Sequence, residues 1–195
     1  RMSQKVITLE KNGDNFDVVI PSRSLREFTS VFSDDIETVE VFFANNQILF
    51  RSEHISFYTR LLEGNYPDTD RLIPTEFNTE ATFNVANLRF AMERARLLSN
   101  ATQNGTVKLE FKNGLVSSHV HSPEVGRVNE EIDTSAVSGE DLSISFNPTY
   151  LIEALKAIDS EQVVIRFISS VRPFTLVPEG NEQGFIQLIT PVRTN

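Results

Sequence analysis

Leu142-Ser-Ile-Ser-Phe-Asn-Pro-Thr-Tyr-Leu-Ile-Glu-Ala-Leu-Lys-Ala-Ile158 is the stretch from which the fold can be read. Residues 142–146 read as a short strand that runs into a helix over residues 148–158. Strand-like runs follow at 163–168, 174–177 and 185–190. Toward the N-terminus the same order returns: a strand at 82–85, a helix at 87–98, a strand at 107–111, an Asn113-Gly114 turn and a strand at 115–121. It returns once more from residue 16. A strand at 16–20 and Pro21 precede a capped amphipathic helix at 22–32, with Leu25, Phe28 and Phe32 on one side. Strands at 39–44 and 47–51 then flank Asn45-Asn46, a connection that tolerates positive φ, and a further strand spans 55–62. Three copies at a spacing of roughly 60 residues indicate repeated architecture. The expected fold class is α+β: strand-helix-strand-strand-strand units with helices on one face of antiparallel sheets.

The second and third copies run together from about Glu76 to the end. The first is set apart by residues 65–74, a polar stretch with two prolines that reads as a linker. A domain that needs two copies to cover its helices and pair its strands leaves the first copy without a mate. The chain also opens on Arg1 rather than Met, immediately before a strand-like run at residues 5–9. An N-terminal portion is therefore expected to be missing.

The 195 residues suffice for one large domain, or for one domain and part of another. The absence of cysteine excludes a disulfide scaffold and a thiolate metal site, and fits a reducing cytoplasm. No apolar run approaches about 18 residues, and the first 20 residues lack a signal-peptide pattern. A formal charge of −9 argues against gripping nucleic acid by bulk attraction. That charge is unevenly placed. The helical windows carry Arg23, Arg26, Arg89, Arg94, Arg96 and Lys156 against Glu27, Glu93 and Glu153, a net of three positive charges, with twelve negative on the remainder. Either the helices form a weakly basic lining, or they carry Arg, Lys and Glu for solubility and helix propensity.

Four runs carry a family resemblance: Ile55-Ser-Phe-Tyr-Thr-Arg-Leu-Leu-Glu-Gly-Asn-Tyr-Pro-Asp68, Phe90-Ala-Met-Glu-Arg-Ala-Arg-Leu-Leu-Ser-Asn100, Phe146-Asn-Pro-Thr-Tyr-Leu-Ile-Glu-Ala-Leu155 and Leu188-Ile-Thr-Pro-Val-Arg193. In that order they resemble bacterial beta sliding clamps, the beta subunits of DNA polymerase III. The resemblance implies the DNA-clamp fold, with residues 1–74 as the C-terminal half of the middle domain and 75–195 as the complete third domain. It implies a non-catalytic processivity factor of the DNA polymerase holoenzyme: a cytoplasmic homodimer, when full length, that encircles duplex DNA without sequence specificity. Topological holding reconciles an acidic protein with DNA, because few counterions are displaced at once. The six basic helix residues become candidates for the inner lining.

The same resemblance implies that the polymerase alpha subunit, the clamp loader and other replication or repair proteins dock through short peptides carrying Gln, Leu and Phe. The matching pocket positions are Arg1, Met2, Pro67, Arg71, Leu72, Asn147, Tyr150, Val171, Pro173, Leu188, Thr190, Pro191, Val192 and Arg193. Apolar groups there supply anchor area, and Asn147, Arg71 and Arg193 supply orienting polar contacts. Pro173 and Thr190 stand where family members often differ, and part of the first subsite falls before Arg1. Leu97 and Leu98 match ring-closure positions. Adjacent helix residues point about 100° apart, so both cannot lie at the centre of one inward stripe: either one is exposed as interface or both are buried at the helix end. With half of each ring contact absent, the piece itself is expected to be a monomer that cannot be loaded.

No cofactor is implied. His119 and His121 alternate onto one strand face and are expected to be solvent-exposed rather than metal-bound. The pairs Asp34-Asp35 and Glu130-Glu131 are expected in or beside loops, and Asn100-Ala-Thr and Asn104-Gly-Thr fit a glycosylation pattern that a cytoplasmic chain would not use. No P-loop, dinucleotide glycine motif or GxSxG elbow occurs. The competing class is a repeat-built α+β protein-interaction scaffold without a nucleic-acid role.

Overall fold

A computed structural model describes residues 1–10, 13, 15–33, 35–99, 105–122, 126–181 and 184–193. Its elements run β1 (Met2–Lys5), α1 (Ser22–Val31), β2 (Glu40–Ala44), β3 (Gln47–Arg51), β4 (Ser56–Arg60), a 3-10 turn (Asp70–Leu72), β5 (Thr79–Asn84), α2 (Val85–Ser99), β6 (Val107–Lys112) and β7 (Leu115–Ser122). They continue with β8 (Gly126–Glu131), β9 (Ala136–Gly139), β10 (Leu142–Phe146), α3 (Pro148–Lys156), β11 (Gln162–Phe167), β12 (Phe174–Pro178) and β13 (Phe185–Ile189). The α+β fold class with antiparallel sheets expected from the repeats is what is found. Among the described residues no helix is long and apolar enough to cross a membrane.

Two compact units result, one from Arg1–Thr8 with Asp70–Asn195 and one from Leu9–Thr69. Arg1–Thr8 joins the larger unit because β1 leaves its sequence neighbours and pairs with β13. In the larger unit the second and third copies exchange their first strands. β5, which opens copy two, pairs with β11 of copy three, and β10, which opens copy three, pairs with β6 of copy two. The sheets are ordered β1-β13-β12-β11-β5-β9 and β10-β6-β7-β8. Phe111, Phe146, Phe167 and Phe174 are buried between them, with ring centroids 4.9–5.2 Å apart along the chain of contacts. Each such ring contributes about 1.5–3 kcal/mol by leaving water.

Local signals explain several boundaries. Asn113 and Gly114 have φ of 52° and 77°, as a two-residue primed hairpin turn requires. Asn147 lies in extended backbone and its Oδ1 accepts from Thr149 N at 2.9 Å, while Pro148 occupies the start of α3. α2 begins two residues before the expected 87, because Asn84 Oδ1 accepts from Asn87 N at 3.0 Å and so serves its N-terminus.

Other expectations need correction. The residue preceding α1 is Pro21, which offers no side-chain cap bond, so the expected capped start is absent. Residues 16–20 form no strand; Val19 O instead accepts a single bond from Leu62 N at 2.8 Å. The strand near the N-terminus is Met2–Lys5 rather than 5–9. Glu130 and Glu131 lie on β8, a largely exposed strand whose polarity hid it from hydrophobic patterning. The small unit is a three-stranded sheet, β2-β3-β4, against which α1 places Phe28 4.6 Å from Phe50.

Candidate functional site

α3 and its C-cap residue Ala157 present Tyr150, Glu153, Ala154 and Ala157 at i, i+3, i+4 and i+7 spacing, which stacks them along one face. β1 and the residue before it contribute Arg1, Met2 and Ser3, and β13 contributes Gln187, Leu188 and Ile189. Together they line a cleft of about 370 Å³. Met2 lies opposite Leu188 in the β1–β13 ladder, and Gln187 Nε2 donates to Ala154 O at 2.6 Å, binding the sheet to the helix. Leu188 and Ile189 are buried and make an apolar floor. The rim is charged: the Arg1 guanidinium bonds the Glu153 carboxylate and sits 5.0 Å from the centre of the Tyr150 ring. Such a site offers burial for apolar anchors and polar groups at its edge.

Arg1, Met2, Tyr150 and Leu188, all expected from the sequence, meet in this cleft. Ser3, Glu153, Ala154, Ala157, Gln187 and Ile189 were not expected there, although the helical spacing from Tyr150 and the two-residue alternation around Leu188 would have found most of them. Asn147 uses its side-chain oxygen to cap α3, so that oxygen is occupied. Pro173 and Thr190 flank the paired residues Phe174 and Ile189. Beyond them, Val192 N donates to Ser145 O at 2.7 Å and fixes the segment holding Pro191 and Arg193 beside β10. Val171 and Leu72 are exposed. Arg71 and Leu72 belong to the 3-10 turn, which Gln4 Nε2 reaches through Asp70 Oδ1 at 3.3 Å. Pro67 lies in the smaller unit.

The basic helix residues are less free than a charge count implies. Arg23 pairs with Glu27 at 2.9 Å, and Arg89 lies 3.9 Å from Glu93 and 5.2 Å from the Phe90 ring centre. Arg94 bonds Glu130 of β8, and that hydrogen bond, helped by the carboxylate's charge and opposed by desolvation, raises the Arg94 pKa above its ordinary value. The Nε atoms of Arg89 and Arg96 are buried without a hydrogen-bond partner among the described residues. Arg26 is exposed, and Lys156 is exposed in the last turn of α3, where a cation complements the helix dipole. Leu97 is 70% exposed while Leu98 packs against the core, so of the two arrangements left open for this pair the one with a single exposed leucine is found.

His121 is exposed, as expected. His119 is part-buried instead: its Nδ1 lies 2.7 Å from Asn129 Oδ1, and its Nε2 lies 2.9 Å from Ser117 Oγ and 3.2 Å from Glu110 Oε2. Among the described residues no three His, Cys, Asp or Glu side chains form a group able to hold a metal ion. Asp34, Asn100, Ala101, Thr102 and Asn104 lie outside the described residues.

Comparison with known proteins assigns residues 70–193 to the family described as DNA polymerase III beta subunit, C-terminal domain, and residues 1–68 to its central domain. The beta sliding clamp of Streptococcus pneumoniae TIGR4 is 79% identical over 195 residues, covering 100% of this chain and 52% of that protein. The beta sliding clamp of Lactococcus lactis is 54% identical over 197 residues, again with 100% and 52% coverage. The crystal structure of the Streptococcus pneumoniae DNA polymerase III beta chain superposes with a TM-score of 0.96 at 79% identity, covering 98% of this chain and 51% of that one. The Bacillus subtilis DNA polymerase sliding clamp gives 0.92 at 36% identity, covering 99% and 51%. The chain thus spans about half the length of the relatives it matches. With both domain families matched in order along a fold of the same architecture, it belongs to the DNA polymerase III beta subunit family.

Proposed function

We propose that these residues form part of a DNA sliding clamp, a non-catalytic processivity factor that encircles duplex DNA and docks its partners through short peptides. Residues 1–74 supply the C-terminal half of a middle domain and 75–195 a complete third domain. The single observation that carries the docking reading is the convergence of Arg1, Met2, Tyr150 and Leu188 on one cleft with an apolar floor. Polymerase alpha subunit, clamp loader and repair proteins dock there through Leu and Phe anchors, with Arg71 and Arg193 orienting the peptide. Leu97 serves ring closure with a second subunit. The acidic total is compatible with DNA because the ring holds it by topology, with Arg23, Arg26, Arg89, Arg94, Arg96 and Lys156 on the helices that line the hole. Carboxylate pairing of Arg23 and Arg94 weakens any grip on phosphate, which suits sliding.

Docking is tested on the 195-residue chain by titrating a fluorescent peptide carrying Gln, Leu and Phe. Replacing Arg193 and deleting the two residues after it weakens binding; unchanged affinity removes that assignment. Encirclement is tested with a chain of the relatives' full length that carries these residues, loaded on nicked circular DNA. It stays on the circle until the circle is cut, whereas a scaffold without a DNA role shows no dependence on topology.

A further inference from the structure

The β2-β3-β4 sheet of the smaller unit has two faces of different character. Phe50 and Phe57 point to the side that carries α1, where the Phe28 ring centre lies 4.6 Å and 6.2 Å from theirs. Strand alternation puts Phe42, Leu49 and Tyr58 on the opposite side, and the ladders set Phe42 across from Leu49 and Leu49 across from Tyr58. The three form an apolar row across all three strands and line a groove of about 350 Å³. Phe42 is 41% and Tyr58 is 72% exposed. Apolar residues scattered singly on a surface are ordinary, whereas a contiguous row marks an interaction site. The charge around the row is uneven. On one side Arg51 donates to Glu40 at 2.9 and 3.0 Å and lies 4.6 Å from the Phe42 ring centre, so its charge is used within the sheet. On the other side Arg60, beside Gln47, is exposed and has no carboxylate partner among the described residues.

We propose that this face docks a short acidic segment of a partner protein: two or three apolar or aromatic side chains lie against the row of Phe42, Leu49 and Tyr58, and a neighbouring Asp or Glu meets Arg60. Size and charge choose that occupant. Three strands of five residues cover only about 14 Å by 17 Å, far less than the roughly 800 Å² per partner buried in a stable protein complex, so the face suits a peptide rather than a second copy of the chain. The available charge is a cation on a chain of formal charge −9, which favours a carboxylate from the partner. Bases of a single-stranded nucleic acid also stack on aromatic rings, but here Leu49 separates the two rings and one available cation cannot follow a phosphate backbone. The surface shares no residue with the cleft of α3, and the inference does not depend on docking there.

The test pans a random-peptide display library on the 195-residue chain with the Tyr58→Ala chain in solution as competitor, which removes peptides that bind elsewhere. Enriched peptides are synthesised with a fluorescent label and titrated by anisotropy. They carry closely spaced apolar or aromatic residues together with an Asp or Glu. Tyr58→Ala raises their Kd by about tenfold or more, the range for losing an aromatic anchor. Arg60→Gln raises it by about two- to fivefold, as for a solvent-screened ion pair, and that effect vanishes at high salt or when the peptide acid is replaced by its amide. The urea midpoint of the smaller unit is unchanged in Tyr58→Ala, because the ring is mostly in solvent, so lost binding is not lost folding. No enrichment over the Tyr58→Ala chain overturns the proposal, as do peptides indifferent to both substitutions. Binding of a labelled oligothymidine through Tyr58 overturns it in favour of a nucleic-acid platform. Self-association in sedimentation that Tyr58→Ala abolishes overturns it in favour of an interface between copies.

Discussion

The first copy of the repeat and the paired second and third copies are built from the same string of elements, yet they reach different degrees of burial. α2 buries Leu88, Ala91, Met92, Ala95 and Ser99, and α3 buries Pro148, Leu151, Ile152, Ala154 and Leu155, whereas α1 buries none of its residues. Strand exchange accounts for the difference. β6 and β11 each receive the other copy's opening strand along one edge, while among the described residues β2, their counterpart, has a bare edge. The opening segment of copy one, residues 16–20, is not a strand and bonds only through Val19 O, which accepts from Leu62 N, among the described residues. Leu25, Val31, Val41 and Phe43 are substantially exposed in the smaller unit. Within the larger unit each repeat thus supplies half of a core and its mate supplies the rest.

The largest test of this contrast compares two phenylalanines. Phe146 opens onto α3 and is 0% exposed, while Phe43 is 41% exposed on the bare edge. Phe146→Ala should lower the stability of the larger unit by about 3–5 kcal/mol, and Phe43→Ala should cost the smaller unit about 1 kcal/mol or less. Urea midpoints of the two transitions measure both values, and similar losses at the two sites would erase the distinction.

A second test concerns how the paired copies seal an edge. β9 covers the outer side of β5, with Gly139 opposite Thr79. Gly139 has φ of +99°, and a Cβ there would lie 1.9 Å from Asn78 O. Gly139→Ala should cost about 1–3 kcal/mol from backbone strain before the collision is relieved, with faster hydrogen exchange along β5. A neutral substitution would mean that β9 contributes little to closing the sheet.

Legibility in the sequence followed the same division. Residues 142–146 and the Asn113-Gly114 turn were readable because alternation and positive φ leave direct residue signatures, and both lie where the copies reinforce one another. β8 was missed because Gly126–Glu131 is a polar edge strand, and its Glu130 proved to be a structural partner of Arg94 rather than loop charge. The strand expected at 16–20 has suitable residues, but pairing decided against it, since a strand needs an edge as well as a propensity. At the candidate site, Tyr150 and Leu188 were found through family resemblance. Glu153 was visible only as one acid on a helix, because the sequence cannot say that Arg1, 152 residues away, would bond it.

The smallest effect separates the helix starts. Asn147 caps α3 through Thr149 N, and Asn147→Ala should lower the stability of the larger unit by about 1 kcal/mol. α1 starts after Pro21, whose φ of −58° and ψ of 132° already suit a cap residue, but which has no acceptor to offer. Pro21→Ser supplies the missing oxygen, a gain of a few tenths to about 1 kcal/mol, while freeing the unfolded chain costs about 0.4–1 kcal/mol. These terms nearly cancel, so the net shift in the smaller unit's urea midpoint should correspond to less than about 0.5 kcal/mol. A clear stabilisation by Pro21→Ser would show that a poor helix start, rather than the bare sheet edge, is what weakens the first copy.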